Sequence, residues 1–230
     1  KGFTVVWAGQ LASLLGSSIT NFGILIWIWL ETGQATPFAI YGFAFNAPLI
    51  IATPLAGALV DRWNRKLTIA ISDFAAGLST VVILILYSMN GLELWHLYVT
   101  GAFAGMFGAF QPPAFSAAIT MMLNKKDYAR ASGMRSMTQT APLIIAPIIA
   151  PILLVTIGLR GILIIDIITF TTAILLLTLI HIPPPTISKE GLESVGSIWK
   201  ESFYGFKYIF NKKSLFIMML VFLVVNLALS

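Results

Sequence analysis

Long apolar runs constrain the fold of this chain more than any other feature of its sequence. Crossing the hydrocarbon core of a bilayer takes about 20 helical residues. Backbone amides in lipid must bond within a helix or a closed barrel, and these runs are too long and too uniformly apolar for barrel strands. The sequence therefore predicts an all-α polytopic membrane bundle with six complete transmembrane helices, near residues 5–30, 38–60, 67–89, 95–123, 137–157 and 161–182, and a partial seventh from Ser214.

Composition supports a membrane location and argues against several kinds of site. Charged residues make up 10% of the chain, whereas soluble domains average about 25%. The net charge of +5 indicates no nucleic-acid partner, because the basic residues lie in predicted loops rather than on a folded basic face. There is no cysteine, and His96 and His181 lie far apart in the sequence. We therefore predict no disulfide, no metal site and no cofactor.

The positions of prolines and charged residues predict that the chain has three parts. Residues 1–182 form the six-helix transmembrane domain, which Pro183, Pro184 and Pro185 terminate because proline cannot continue a helix. Residues 183–213 form a linker with an amphipathic helix, which lies on the cytoplasmic membrane face or packs against the protein, two alternatives that the sequence leaves open. Residues 214–230 begin a seventh helix, and we expect the natural protein to continue into a C-terminal half.

The distribution of basic residues predicts the orientation. All of the 14 lysine and arginine residues except Arg160 lie in loops on one side of the predicted bundle or in its terminal segments. Loops rich in lysine and arginine stay in the cytoplasm. We therefore expect a multi-pass protein of the cell (inner) membrane whose amino terminus is cytoplasmic.

A short turn between the second and third runs carries the most specific pattern. It has Gly57 and Asp61 at the end of one run, followed by Arg62, Arg65 and Lys66. The helix macrodipole disfavours an anion at a helix C-terminus, so Asp61 needs a partner, either a nearby arginine, for which Arg62 and Arg65 are candidates, or the N-terminus of another helix. The alternative is that the basic residues of the turn only set the topology. Gly57 would allow close approach of a neighbouring helix.

This turn resembles the signature loop of the major facilitator superfamily. Further stretches are similar to one branch of it, the bacterial drug and macrolide efflux permeases: Gly9-Gln10, Leu15-Gly16-Ser17-Ser18, Thr32-Gly33, Phe110-Gln111-Pro112-Pro113-Ala114, Asp166 and Phe170. The resemblance implies a twelve-helix transporter, of which this chain supplies the first six helices as two inverted three-helix repeats.

The resemblance also implies roles for individual residues. The loop aspartate, here Asp61, would bear on a helix of the second half and stabilise the outward-facing state, supported by Gly57, Arg62, Arg65 and Lys66. Many proton-coupled exporters of this superfamily carry an arginine in the fourth helix, whereas residues 95–123 contain no charge.

Two carboxylates within the runs are candidates for proton or ion coupling. Asp73 lies about two turns into the third predicted helix, and Asp166 about two turns into the sixth. A charge inside a membrane is costly, so such a residue faces the bundle interior or a wet cavity. The alternatives are that Asp73 pairs with the nearby cytoplasmic arginines and that Asp166 extends toward the outer interface.

Polar side chains on the first and fourth helices are candidates for the substrate cavity: Gln10, Ser17, Asn21 and Gln111. Small polar groups also form hydrogen bonds between helices in any membrane bundle. We favour that alternative for a serine alone and the cavity for Asn21 and Gln111, whose larger amides are harder to bury.

These features predict a secondary active transporter that works by alternating access and exports a drug-like or amphipathic small molecule. An ion gradient, with protons the predicted ion, would drive it, because the sequence contains no nucleotide-binding motif. The alternatives are a transporter of another small solute, a membrane-embedded enzyme and a non-transporting sensor. We expect no enzyme, because no histidine or acidic groups converge near one interface.

Overall fold

A computed structural model of the chain describes residues 2–122, 127–180 and 212–229, and these ranges are helical, without strands. The chain divides into two compact units, Lys1–Pro185 and Thr186–Ser230. The first unit contains six helices in its described ranges: α1 (Gly2–Thr32), α2 (Ala35–Arg62), α3 (Arg65–Ser88), α4 (Leu94–Gly108), α5 (Gln111–Met122) and α6 (Tyr128–Leu179).

The second unit contains α7 (Lys213–Leu229), which begins where the seventh apolar run was predicted. The predicted linker over 183–213 falls almost entirely on residues outside the described ranges. Its amphipathic helix therefore stays a prediction.

The fourth predicted helix is divided in the structure. We predicted one helix over 95–123, whereas α4 and α5 are separated at Ala109 and Phe110. Pro112 and Pro113 have no amide N–H, so two helical hydrogen bonds are lost here. Ala109 keeps right-handed helical angles, φ −60° and ψ −27°, and the Phe110 amide donates to the Phe107 carbonyl (3.1 Å). The prolines thus interrupt the helix without reversing the chain.

The last helix of the first unit contains two predicted runs. Its 52 residues divide at Gly158, whose φ of 69° and ψ of 175° lie outside the helical region. Only glycine adopts such backbone angles readily. Gly158 therefore separates a first arm of α6, residues 128–157, from a second arm, residues 159–179.

Contacts with α1 show that the two arms run in opposite directions. In the first arm, Met134 accepts a hydrogen bond from Trp7 Nε1 (2.8 Å), and Ala146 packs near Ile19, so residue numbers rise together. In the second arm, residue numbers fall as those of α1 rise, because Gly9 of α1 lies against Leu176 whereas Gly23 lies against Ile162. The chain reverses at Gly158.

The first unit therefore crosses a membrane six times. The structure shows α1, α2 over Ala35–Gly57, α3 and α6 to be long and apolar enough to span. The two arms of α6 make two crossings, and α4 with α5, of 15 and 12 residues, makes one crossing together.

α2 and α4 run in the same direction, because Gly101 faces the Tyr41 ring and Gly105 faces the Phe45 carbonyl.

Candidate functional site

Buried polar side chains meet in the interior of the first unit. Gln10, on α1, and Asp73, on α3, are each 2% exposed. Gln10 Nε2 donates to Asp73 Oδ2 (2.6 Å). Gln111, at the start of α5, donates through Nε2 to Asp73 Oδ1 (2.7 Å) and to Gln10 Oε1 (2.9 Å). Three helices thus converge on one carboxylate, which accepts amide hydrogen bonds at both of its oxygens.

This arrangement differs from the arginine pairing considered for Asp73. Its hydrogen-bond partners are Gln10 and Gln111, and the Arg65 guanidinium contacts Met121 Sδ instead (2.7 Å). Asp73 lies eight residues into α3, about 12 Å along the helix axis from Arg65 at a rise of about 1.5 Å per residue. The carboxylate faces the bundle interior, beyond the turn that carries the basic residues.

A second buried carboxylate lies between α1, α3 and the second arm of α6. Asp166 is 2% exposed, so it does not extend to the outer interface. Its Oδ1 accepts a hydrogen bond from Ser17 Oγ (3.0 Å), and its Oδ2 accepts one from Thr80 Oγ1 (2.7 Å). The Thr20 hydroxyl also faces this carboxylate. Hydroxyl groups surround Asp166, whereas amides surround Asp73.

The predicted cavity residue Asn21 joins α1 to α2. Its side chain donates to the Ser17 carbonyl of its own helix (3.0 Å). Its Oδ1 accepts a hydrogen bond from the Tyr41 hydroxyl (2.7 Å). Asn21 therefore forms a contact between helices and also lies at the surface of a cavity.

Both carboxylates line one cavity of about 220 Å³, here called the central cavity. Its lining comes from α1, α2, α3, α4, α5 and the second arm of α6. The polar groups that line it are Ser13, Ser17, Ser18, Thr20, Asn21, Tyr41, Asp73, Ser79, Thr80, Thr100, Gln111 and Asp166. No lysine, arginine or histidine is among the described residues that line it. The described lining of the cavity thus contains two carboxylates and no basic group.

A larger, mostly apolar cavity of about 410 Å³ lies beside it, between α1, α2, α5 and the first arm of α6. We call it the lateral cavity. Gln10 and Gln111, which donate to Asp73, also line the lateral cavity, and so does Arg135. The Arg135 guanidinium donates to Ser116 Oγ (2.6 Å), and no carboxylate within the described ranges pairs with it.

Arg135 was not predicted as a site residue. It was assigned to a cytoplasmic loop, whereas α6 begins at Tyr128 and places Arg135 two turns inside the helix. The available signal was Asp127-Tyr128-Ala129-Arg130, a polar helix start that precedes the apolar run by about two turns. Among the described residues that line the lateral cavity, the one charged side chain therefore comes from the fifth crossing rather than the fourth.

The predicted signature loop forms the tight turn between α2 and α3. Asn64 caps α3, because its side chain accepts from the amides of Lys66 (3.0 Å) and Leu67 (3.3 Å). The Lys66 ammonium donates to the carbonyls of Thr178 (2.9 Å) and Ile180 (2.8 Å) at the end of α6. Lys66 thus joins the start of α3 to the end of the sixth crossing.

The structure leaves the other contacts predicted for the loop untested. A Cβ added at Gly57 would meet no atom of the described residues within 4 Å, so the close helix approach predicted there stays a prediction. The side chains of Asp61 and Arg62 lie outside the described part of the structure. Their predicted pairing stays a prediction.

Comparison with known proteins identifies the family to which this chain belongs. The model of the Major Facilitator Superfamily matches residues 6–230. Macrolide efflux protein A of Streptococcus pyogenes is 24% identical over 219 residues, which cover 95% of this chain and 54% of that protein. The multidrug efflux pump Tap of Mycolicibacterium fortuitum is 30% identical over 114 residues, covering 48% of this chain and 28% of Tap.

A third relative is the enterobactin exporter EntS of Salmonella choleraesuis, 22% identical over 191 residues, which cover 82% of this chain and 46% of EntS. The chain therefore spans about half the length of relatives that it matches over most of its own length. With six crossings around a cavity that holds two buried carboxylates, and a family match over nearly every residue, the chain belongs to the Major Facilitator Superfamily.

Proposed function

We propose that the protein is a secondary active transporter that exports an amphipathic, drug-like small molecule by alternating access, driven by a cation gradient. Membership of the family points to a transporter rather than an enzyme. The names of the relatives, which include macrolide and multidrug efflux proteins, support export. Because the relatives are about twice as long as this chain, the substrate path would lie between this bundle and a second half.

One observation supports this proposal above the others, namely the central cavity that holds Asp73 and Asp166 without a basic side chain among its described lining residues. A buried carboxylate inside a membrane is costly and is retained mainly where it has a function. A group of this kind can take up a cation on one side of the membrane and release it on the other. The cavity therefore suits a transporter that couples solute movement to a cation.

Protons are the ion that we propose for Asp73. Both of its oxygens accept from glutamine N–H groups, so the anion is stabilised by amide donors without a metal ion. A glutamine side chain carries an acceptor as well as donors, so it can rotate to bond a protonated acid. Gln10 and Gln111 can thus satisfy Asp73 in both of its charge states.

We further propose that the amino terminus and the α2–α3 turn face the cytoplasm of the cell (inner) membrane. The turn holds Arg65 and Lys66, and the start of α6 holds Arg130, so basic residues cluster at one end of the bundle. In this orientation the signature loop, with Asp61, would contact the second half from the cytoplasmic side and regulate opening.

The test is dye accumulation in cells that express the full-length protein containing this sequence. We expect less accumulation of a cationic amphipathic dye, restored by an ionophore that collapses the cation gradients and by Asp73→Asn. Asp127→Asn is the matched control, because Asp127 caps no helix through its side chain and lies outside both cavities. Unchanged accumulation with the protein present in the membrane would contradict drug export.

Export of an anionic solute is the second candidate function. Arg135 in the lateral cavity, without a carboxylate partner among the described residues, favours it. An anionic dye tested beside the cationic one separates the two candidates. For an anionic solute, Arg135→Gln should abolish export of the anionic dye, whereas Arg130→Gln, at an exposed position in the first turn of the helix, should leave it unchanged.

A further inference from the structure

The surroundings of Asp166 consist of oxygen atoms from three crossings. Ser17 Oγ lies 3.0 Å from one carboxylate oxygen and Thr80 Oγ1 lies 2.7 Å from the other. The hydroxyl of Thr20, one turn beyond Ser17 on α1, lies near the same carboxylate but outside hydrogen-bond geometry. The four side chains carry five oxygen atoms, and all four line the central cavity.

Thr20 is the unusual member of this group. It is 4% exposed, and its hydroxyl has no hydrogen-bond partner in the described structure. Threonines inside helices ordinarily bond the carbonyl of the preceding turn, as Thr68 and Thr172 do here. A buried hydroxyl without a partner is costly and calls for an explanation, such as a bound ion.

No basic side chain among the described residues faces Asp166 across the central cavity. The other titratable groups among the described residues that line it are Asp73 and Tyr41, and neither supplies a positive charge. Since an isolated anion inside a membrane is costly, a cation from solution would stabilise an ionised Asp166. The orphan hydroxyl and the missing counter-charge therefore point to the same ligand.

We propose that Asp166, Ser17, Thr20 and Thr80 form a sodium-binding site. Hard cations prefer carboxylate and hydroxyl oxygens, whereas transition metals prefer nitrogen or sulfur ligands, which this group lacks. A single carboxylate balances a monovalent cation and leaves a divalent one with excess charge. The hydroxyls of Ser17 and Thr80, which donate to Asp166 here, can rotate to direct lone pairs at the ion.

The backbone of α1 contributes to this site. A Cβ added at Gly16 would lie 3.0 Å from Asp166 Oδ1 and would overlap Thr169 Oγ1. Glycine at this position therefore allows α1 to approach the second arm closely enough for Ser17 to reach the carboxylate. If the proposed function holds, sodium bound here would act as a coupling ion, whereas the binding itself does not depend on that function.

The test is binding of radioactive sodium by the full-length protein, purified in detergent, with choline chloride keeping the ionic strength constant. Thr20→Val is the informative variant, because the Thr20 hydroxyl has no hydrogen bond to lose. We expect it to leave the melting temperature in choline unchanged and to weaken sodium binding by at least about tenfold, as losing a coordinating group does. Thr172→Val, on the exposed face of α6, is its matched control and should bind sodium normally.

The carboxylates provide a second comparison. Asp166→Asn should abolish sodium binding, whereas Asp73→Asn, which alters the cluster bonded by amides, should retain it. Equal sodium affinity in Thr20→Val, Asp166→Asn and the unsubstituted protein would overturn the proposed site. A protein that binds sodium but exports no dye would refute drug export and leave the site standing. A protein that exports dye without binding sodium would refute the sodium site and leave drug export standing.

Discussion

Replacement of Gly105 by alanine should separate α4 from α2 and destabilise the bundle. A Cβ at this position would overlap the Phe45 carbonyl oxygen and would lie 3.0 Å from the carbonyl carbon. The obstacle is backbone, which cannot rotate away as a flexible side chain can. Overpacking of this kind costs about 1–3 kcal/mol, while alanine gains about 1 kcal/mol over glycine in helix propensity. We expect a net loss of up to about 2 kcal/mol.

The matched control lies on the same helix. At Gly108 an added Cβ would meet only Leu49 Cδ1, at 4.0 Å, which is an ordinary contact. Gly108→Ala should therefore leave stability unchanged or raise it by up to about 1 kcal/mol. The assay is thermal unfolding of both variants in the same detergent. Equal melting temperatures for the two variants would refute the conclusion that α2 and α4 meet at Gly105 through their backbones.

Three further predictions concern polar contacts. Gln111→Leu should cost about 2–3 kcal/mol in thermal unfolding, because it leaves Asp73 Oδ1 and Gln10 Oε1 without this donor; a melting temperature equal to that of Gln139→Leu, an exposed position, would contradict it. Lys66→Met should speed hydrogen exchange over residues 174–180, since the ammonium bonds the last carbonyls of α6; unchanged exchange there would show that those bonds are not needed. Asp61→Asn should abolish dye export at a normal membrane level, and export at the unsubstituted rate would rule out the gating role.

The sequence predicted the helical crossings well, because long apolar runs in a membrane have little freedom to form anything else. The runs over 67–89 and 38–60 correspond closely to α3 and α2. The division between α4 and α5 was visible in Pro112 and Pro113 but was not predicted. An apolar composition alone does not show where a crossing bends.

The partners of the buried groups could not be predicted in the same way. Which side chain meets Asp73 depends on the rotation and depth of each helix, which no local pattern fixes. The nearby basic residues therefore suggested a partner for Asp73, whereas the structure supplies two glutamines distant in sequence. Arg135 was misassigned for a related reason, because a helix that starts before its apolar run places charge inside the bundle.

The spacing of the polar contacts has a mechanical consequence. Gln10 and Ser17 on α1 are seven residues apart, as are Asp73 and Thr80 on α3. Gln10 bonds the Asp73 carboxylate, whereas Ser17 and Thr80 both bond the Asp166 carboxylate. Seven residues make nearly two turns, about 10 Å of rise with a drift of about 20°. Sliding either helix by one turn would misalign the contacts at Asp73 and at Asp166 at once. If the protein works by the proposed alternating access, α1 and α3 should move as one rigid unit, and we expect bending in crossings that contain prolines, such as α2 and the first arm of α6.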